Sequence, residues 1–330
     1  MNRRAFLAAT AGSLLAAPLA VKAQQPRKVW RIGVLGFAPT TADMVGPDPK
    51  NAFTKALLLG LRELGYVYGQ HFVTEPRGAE GKRDAYPGLV ADLIRLQVDV
   101  IVSVGAALQS LKQATSTIPI VIAGAADPVS SGYAKSLGRP GGNFTGLSFQ
   151  FLEMIGKRLE LLKQLVPTAA PVAVLWDLLY PPGWEAAQAT ARQGKWKLLS
   201  LPLRDVGEID QAFMSATKAR AGAVLVAAGQ TLDPHPRRVA ELAAKSRLPA
   251  MYHHRYYVEA GGLACYAPNL TEIWRAAAKF VDKILKGAKP GDLPIEQPTK
   301  FEFVINRTTA KALGLTIPPS LLQRADQVIE

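Results

Sequence analysis

Short apolar runs alternate along this chain with longer segments whose apolar residues recur at helical spacing. Residues 98–104 and 118–124 are almost wholly apolar, which is typical of strands buried on both faces of a parallel sheet. Residues 29–36 predict a first strand. The next helix is predicted to begin with Asp48 as its cap and Pro49 at its first position, and to end at Gly65. Its apolar face comprises Phe53, Leu57, Leu61 and Leu64.

The same alternation restarts after residue 150. A helical stripe comes first, followed by a strand over 172–176 and further strands near 197–203, 222–227 and 248–252; the stripe comprises Leu152, Ile155, Leu159, Leu162 and Val166. Strands that alternate with helices predict parallel sheets covered by helices. The fold class is therefore α/β, with two Rossmann-like lobes in tandem, which also suits a chain of 330 residues.

Three extended segments, near 144–148, 262–267 and 298–305, predict three chain crossings between the lobes. The first lobe then comprises 29–144 with about 267–298, and the second comprises 147–262 with about 302–330. The expected hinge residues are Phe144, Thr145, Gly146, Leu263, Ala264 and Phe301. A helix capped by Asn269 and ending at Gly287 connects the second crossing to the third.

Residues 1–23 have the features of an export signal. Arg3 and Arg4 precede an apolar run that ends at Ala20, and Val21-Lys22-Ala23 places small residues where a signal peptidase cleaves. An apolar run of about 16 residues is shorter than the roughly 20 that a membrane anchor needs. The arginine pair resembles a twin-arginine signal, while a general secretory signal stays open. We therefore expect a soluble periplasmic protein.

Charge and cysteine content exclude several classes of protein. The formal charge of +13 falls to +10 on cleavage, and the basic residues are scattered without the dense run that nucleic-acid binding needs. Cys265 is the only cysteine, which excludes an intramolecular disulfide and a cysteine zinc site. It does not follow the signal, so we expect no lipid anchor. We also expect no cofactor and a monomeric protein.

Four segments carry a family resemblance: 53–66, 113–121 (QATSTIPIV), 139–148 (RPGGNFTGLS) and 298–306 (PTKFEFVIN). In this order they resemble the ABC-transporter substrate-binding protein family of the TrpX type. The resemblance continues through residues 312–320 and covers nearly all of the chain after the signal. It implies a type I periplasmic binding fold, a small molecule held between the lobes, and an ABC permease in the inner membrane as partner. Family members are associated with aromatic amino acids and other small organic solutes.

In such folds the ligand lies at the carboxyl ends of the parallel strands. The first-lobe candidates follow three strands, and they are Phe37, Ala38 and Thr40, then Gly105, Ala106 and Ala107, then Ala126, Asp127 and Pro128. Gly105 either lets the backbone approach a ligand or makes a tight turn. The helix that begins near Ala107 would present N–H groups to a carboxylate. Asp127 either accepts a ligand ammonium or caps the turn before Pro128.

Second-lobe candidates come from the equivalent loops, and they are Asp177, Tyr180, Gln230, Tyr252 and Tyr256. Aromatic rings on the two walls of a cleft could enclose a planar ligand, with Phe37 and Tyr252 as the leading pair. Some of these tyrosines must pack in the core, and Tyr257 is the first we expect there. His253 and His254 are adjacent on an extended segment and should point to opposite faces, so we expect no metal site.

Catalytic motifs are missing from the sequence. It contains no Gly-x-Ser-x-Gly elbow and no phosphate-binding Gly-x-x-x-x-Gly-Lys-Ser/Thr loop, and nothing pairs a nucleophile with a base. A repressor of this fold would need a helix-turn-helix in place of the signal. We therefore predict a solute-binding protein of an ABC importer and not an enzyme. A periplasmic ligand sensor is the alternative, and a periplasmic hydrolase is a third hypothesis.

Overall fold

The computed structural model describes residues 28–178, 180–227, 229 and 231–330, so the predicted signal at 1–23 lies outside the described residues. The first of two sheets comprises β1 (Trp30–Gly36), β2 (Phe72–Gly78), β3 (Val100–Ser103), β4 (Ile120–Ala123) and β5 (Phe144–Leu147). All five strands are parallel, in the order β2, β1, β3, β4, β5. The connecting helices are α1 (Ala52–Glu63), α2 (Tyr86–Arg95) and α3 (Ala107–Ala114).

The second sheet has seven strands, β6 (Val172–Asp177), β7 (Leu198–Leu203), β8 (Ala223–Val226), β9 (Ala250–Tyr252), β10 (Ala264–Pro268), β11 (Phe301–Asn306) and β12 (Gln327–Ile329). Their order is β12, β11, β10, β9, β8, β6, β7. The remaining helices are α4 (Met154–Leu165), α5 (Pro182–Gly194), α6 (Ile209–Lys218), α7 (Pro236–Lys245), α8 (Arg255–Glu259), α9 (Leu270–Leu285), α10 (Arg307–Ala312) and α11 (Pro319–Arg324). None of the helices in these described ranges combines the length and the apolar composition that a bilayer crossing needs.

Helix α9 belongs to the first sheet although it follows a strand of the second. Its buried residues Trp274 and Phe280 share a core cluster with Leu57 and Leu61 of α1. Asn269 caps α9, since its side chain accepts a hydrogen bond from the Glu272 N–H at 3.1 Å. We call the first sheet with α1, α2, α3 and α9 the first lobe, and the second sheet with the other helices the second lobe. The first lobe is thus built from two separate stretches of chain.

The prediction of two α/β lobes with parallel sheets is confirmed, with one exception: β11 runs antiparallel to β10. The predicted start of α1 is wrong. Asn51, not Asp48, is the cap, and its side chain accepts the Thr54 N–H at 2.9 Å. Asp48 is exposed and pairs with Lys55. The cap lies further along because Asn51 is itself held by a hydrogen bond from its N–H to the Asp43 carbonyl.

Five of the six residues predicted as hinges lie in regular strands. Residues 144–146 are in β5, Leu263 directly precedes β10, Ala264 begins it, and Phe301 begins β11. Each segment is extended because it pairs with a neighbouring strand, and not because it spans a gap. The chain passes from the first lobe to the second just beyond β5, and it returns to the first lobe at Asn269. It passes to the second lobe again over residues 297–300. The role of these segments as hinges stays a prediction: β5 is a strand of the first sheet, and β10 and β11 are strands of the second.

Candidate functional site

A cavity of about 690 Å³ lies between the lobes, at the carboxyl ends of the parallel strands. The first lobe contributes Phe37 after β1, Gly105 after β3, and residues from the first turns of α1 and α9. The second lobe contributes Asp233 in the loop between β8 and α7, together with residues around the start of α8. A ligand in this cavity would contact both lobes.

Aromatic rings form much of the cavity wall. Phe53 of α1 stacks on Trp274 of α9, with ring centroids 6.0 Å apart and an angle of 19°. Phe149, just beyond β5, meets His254 edge to face at 5.9 Å, and Tyr256 lies 4.7 Å from the same histidine. Broad apolar walls with a few polar groups are typical of a site for a small planar molecule.

Helices α1 and α3 bring their N-termini to the first-lobe wall of the cavity. Gly105 and Ala106 line it directly before α3, and Asn51 and Ala52 line it at the start of α1. The first N–H groups of a helix have no partner within the helix, and no side chain caps α3. Gly105 has φ of +62°, a left-handed conformation that favours glycine. This wall therefore presents backbone donors, which suit an anionic group.

Charged residues are divided between the walls. The first lobe contributes Asp43, Lys50 and Arg83, and the Asp43 carboxylate accepts a hydrogen bond from the Thr40 hydroxyl at 2.7 Å. The second lobe contributes Asp233, whose side chain is 31% exposed. The two cationic side chains of the lining, Lys50 and Arg83, thus lie on the first-lobe wall with the Asp43 carboxylate, and Asp233 is the carboxylate of the second-lobe wall. Helix N-termini reach both walls, because Pro236 begins α7 and His254 directly precedes α8.

Asp233 belongs to a cluster with His253 and His254, which we call the Asp–His corner. The His253 Nε2 atom lies 2.6 Å from Asp233 Oδ1, and His253 Nδ1 lies 3.2 Å from the Val226 carbonyl oxygen. The Tyr257 hydroxyl donates to the same Asp233 oxygen at 3.3 Å. Both nitrogens of His253 therefore face oxygen atoms that can accept a hydrogen bond.

His254 is buried beside this pair and lines the cavity. Burial, with smaller contributions from the charges of His253 and Arg158, holds the pKa of His254 well below its ordinary value of 6.5. His254 is consequently neutral at physiological pH. Burial, followed by the negative charge of Asp233, raises the pKa of Tyr256 well above 10, so its hydroxyl keeps its proton.

Five of the residues predicted from sequence line this cavity, namely Phe37, Ala38, Gly105, Ala106 and Tyr256. Four others lie near the strand ends but outside its lining: Thr40 is exposed, Ala107 and Pro128 are buried, and Ala126 packs on the first-lobe core. Gln230 lies outside the described residues.

Asp127 occupies the turn-capping position that the sequence left open for it. Its Oδ1 accepts the N–H groups of Val129 and Ser130 at 3.0 and 2.9 Å, and the Ser130 hydroxyl donates to its second oxygen. Asp177 is fully buried and accepts both the N–H and the hydroxyl of Thr231 at 2.9 Å. These contacts fix loops and do not place either carboxylate in the cavity lining.

The structure also separates the tyrosines. Tyr252 is fully buried in the second-lobe core, where it stacks on Tyr257 at 4.9 Å and 9°, and it does not line the cavity. Tyr257 packs in the same core, as expected. Tyr180 has a buried hydroxyl away from the cavity lining, and burial, with the charge of Asp127, raises its pKa well above 10. Tyr256 therefore provides the second-lobe ring that sequence reasoning assigned first to Tyr252.

Sequence reasoning missed Asp233, Phe53, Trp274 and His254. Asp233 precedes Pro234 just as Asp127 precedes Pro128, so the sequence offers one signal for both. Phe53 and Trp274 sit on apolar helix faces and read as core residues. The premise against a histidine pair does not hold: the chain bends after β9 ends, and the rings of His253 and His254 lie 4.7 Å apart.

A family model described as ABC transporter substrate binding protein matches residues 42–329. The chain belongs to this family. A curated relative, the tyrosine-binding protein of Clostridioides difficile, is 24% identical over 265 residues, which cover 79% of this chain and 76% of that protein. The members of this family and this curated relative are substrate-binding proteins and not enzymes. The prediction of a non-enzymatic binding protein is therefore confirmed.

Solved structures agree with the family assignment. A Streptococcus pneumoniae ABC domain in complex with L-Trp is 28% identical, with a TM-score of 0.80 over 92% of this chain and 100% of that chain. The ligand-free, open structure of a Clostridium difficile substrate-binding protein with adhesive properties is 23% identical, with a TM-score of 0.69 over 91% and 99%. The latter likeness concerns the fold alone. The predicted type I periplasmic binding fold is confirmed.

Proposed function

We propose that this protein captures an amino acid with an aromatic side chain in the inter-lobe cavity and delivers it to an ABC permease. The observation that carries the proposal is the arrangement of the cavity: aromatic rings on its walls, the Asp233 carboxylate on the second lobe, and the uncapped N-terminus of α3 on the first. Two relatives, one a tyrosine-binding protein and the other solved in complex with L-Trp, support the same class of molecule.

In this proposal the ligand ammonium contacts Asp233, and the ligand carboxylate faces the backbone N–H groups that follow Gly105. The two charged groups of one small molecule then connect opposite lobes. Because only an arrangement with the lobes together offers both partners, the ligand stabilises that arrangement by its difference in affinity. Asp233 takes the role that the sequence suggested for Asp127.

The test is isothermal calorimetry of the purified protein with L-Trp and L-Tyr, in buffer containing a metal chelator. Asp233→Asn should cost on the order of 1.5–3 kcal/mol, because a charged hydrogen-bond partner is lost. That loss is roughly a ten- to hundred-fold increase in Kd. Asp127→Asn is the matched control: it makes the same chemical change outside the cavity and should leave the affinity unchanged.

Two analogues distinguish the contribution of the ligand ammonium to binding from that of the ligand carboxylate. Tryptamine keeps the ammonium and lacks the carboxylate, whereas indole-3-propionate has the reverse composition. Asp233→Asn should therefore weaken tryptamine binding and should not weaken indole-3-propionate binding. An equal loss for both analogues, or a larger loss in Asp127→Asn, would overturn the assignment of Asp233 to the ammonium.

Export to the periplasm and delivery to a permease are part of the same proposal, supported by the signal-like residues 1–23 and by the family. Intact-mass analysis of periplasmic protein should give a chain beginning at Gln24. Deleting the gene should reduce uptake of the radiolabelled amino acid identified by calorimetry. Normal uptake in the deletion strain, with tight binding by the purified protein, would favour a sensor.

A further inference from the structure

The Asp–His corner brings three metal-ligating side chains together. One ligand atom from each of Asp233, His253 and His254 lies within 4.8 Å of the other two. The atoms come from the loop before α7 and from the bend after β9, so the fold assembles them from separate strand ends. Asp233 and His254 also line the cavity, which gives a solute access to the cluster.

His253 is oriented like a metal ligand. The Val226 carbonyl can only accept a hydrogen bond, so the contact at 3.2 Å requires a proton on Nδ1. This tautomer leaves the Nε2 lone pair directed at Asp233 Oδ1, 2.6 Å away. Two acceptors at this separation need a cation between them, either a proton or a metal ion. A histidine whose second nitrogen donates to a backbone carbonyl is the usual arrangement in metal sites.

His254 supplies an independent observation. Its side chain is 4% exposed, and its buried Nδ1 atom has no hydrogen-bond partner among the described residues. Buried polar side-chain atoms normally have a partner. An imidazole nitrogen that lacks one, beside a histidine and a carboxylate at a cavity wall, is placed to ligate an ion.

We infer that Asp233, His253 Nε2 and His254 Nδ1 bind a divalent transition-metal ion of the Zn²⁺ class. Two imidazoles and one carboxylate suit Zn²⁺, Ni²⁺ or Cu²⁺ better than Mg²⁺ or Ca²⁺. Three protein ligands leave a tetrahedral ion one position open to the cavity. Ligand bonds of about 2.0–2.1 Å require the Asp233 carboxylate to move slightly away from His253, which its partial exposure permits.

A metal ion and a ligand ammonium have the same sign of charge and would both use Asp233, so the corner holds one of them at a time. The inference is therefore tested with the metal alone. Tag-free, chelator-treated protein is titrated with ZnCl₂ by calorimetry and with CoCl₂ by visible absorption, without any amino acid. We expect one ion per chain and the visible bands of a four-coordinate Co²⁺ site.

The chain provides its own controls, because it has four histidines and only two lie in the corner. His254→Ala and Asp233→Asn should each weaken Zn²⁺ binding by at least about 100-fold, since losing a ligand should cost no less than losing an outer-shell partner. His71→Ala and His235→Ala should bind Zn²⁺ like the wild type. Thermal unfolding of each variant identifies any that has lost its fold, and Asp233→Asn then stands as the second test.

Failure of the wild type to bind Zn²⁺ would overturn the inference, and so would loss of binding in His235→Ala with retention in His254→Ala. The outcome is separable from that of the proposed function, which is measured in chelator. Amino-acid binding without Zn²⁺ binding would refute the metal site alone. Zn²⁺ binding without affinity for any amino acid would refute the proposed function alone.

Discussion

Gly60→Ala tests how closely α1 and α9 must approach each other in the first lobe. A Cβ atom on Gly60 would lie under 3 Å from the Arg275 carbonyl oxygen and 2.8 Å from the Ala278 Cβ atom. Neither is the end of a flexible side chain that could rotate away. To restore normal contact distances the two helices would have to separate by roughly 1 Å. Trp274 is adjacent to Arg275, so the same movement would disturb the cavity wall.

Two opposing terms set the size of the effect. Overpacking of this kind costs about 1–3 kcal/mol, whereas alanine in a helix interior is better than glycine by about 0.5–1 kcal/mol. We expect a net loss of about 1–2 kcal/mol in the free energy of unfolding. Gly88→Ala in α2 is the matched control, because no atom lies within 4 Å of its Cβ position. That variant should gain about 0.5–1 kcal/mol from the propensity term alone.

The assay is equilibrium unfolding in urea, where a change in midpoint at constant slope reports stability. When the change in unfolding free energy of Gly88→Ala is subtracted from that of Gly60→Ala, the helix-propensity contribution cancels and the cost of overpacking is left. Calorimetry with L-Trp or L-Tyr should also show weaker binding for Gly60→Ala and unchanged binding for Gly88→Ala. If the two variants prove equally stable, the close helix approach does not constrain the fold and this reasoning is wrong.

Two further predictions concern buried groups of the second lobe. The stability of the wild type should fall as the pH is lowered through 6.5, by up to about 1.4 kcal/mol per pH unit, because the unfolded chain takes up a proton that folded His254 refuses. Urea unfolding at pH 7.5 and 5.5 measures this slope; His254→Gln should reduce it, and an unchanged slope would refute the assignment. Cys265 is fully buried, and burial raises its thiol pKa to about 12, so a thiol reagent at pH 8 should react only after urea unfolds the second lobe. Rapid labelling of the native protein would contradict this.

Much of the fold could be predicted because strand and helix patterns are local. The apolar runs of β3 and β4 predict buried strands from the sequence alone, and Asn269 followed by Glu272 predicts the start of α9. The hinge positions could not be fixed in the same way. Phe144 and Phe301 lie in segments whose extended pattern is identical whether the chain pairs with a neighbour or spans a gap, and only the partner strand decides.

The site was predictable in position and not in its polar residues. Strand ends located the cavity and five of its lining residues. Asp127 and Asp233 share an Asp-Pro sequence, yet one caps a turn and the other faces the cavity. Tyr252 and Tyr256 differ in a similar way, because β9 ends at Tyr252 and directs that ring into the core. Both distinctions depend on contacts between segments far apart in sequence.

The late return of α9 to the first lobe has a consequence for biosynthesis. The apolar face of α1 that contains Leu57 and Leu61 is made early, but the helix that covers it is complete only when residue 285 has left the ribosome. The second lobe likewise waits for β11 and β12, near the end of the chain. A nascent chain of this protein therefore exposes part of its apolar surface until translation is nearly complete, and exposed surface of this kind favours aggregation of partly folded chains.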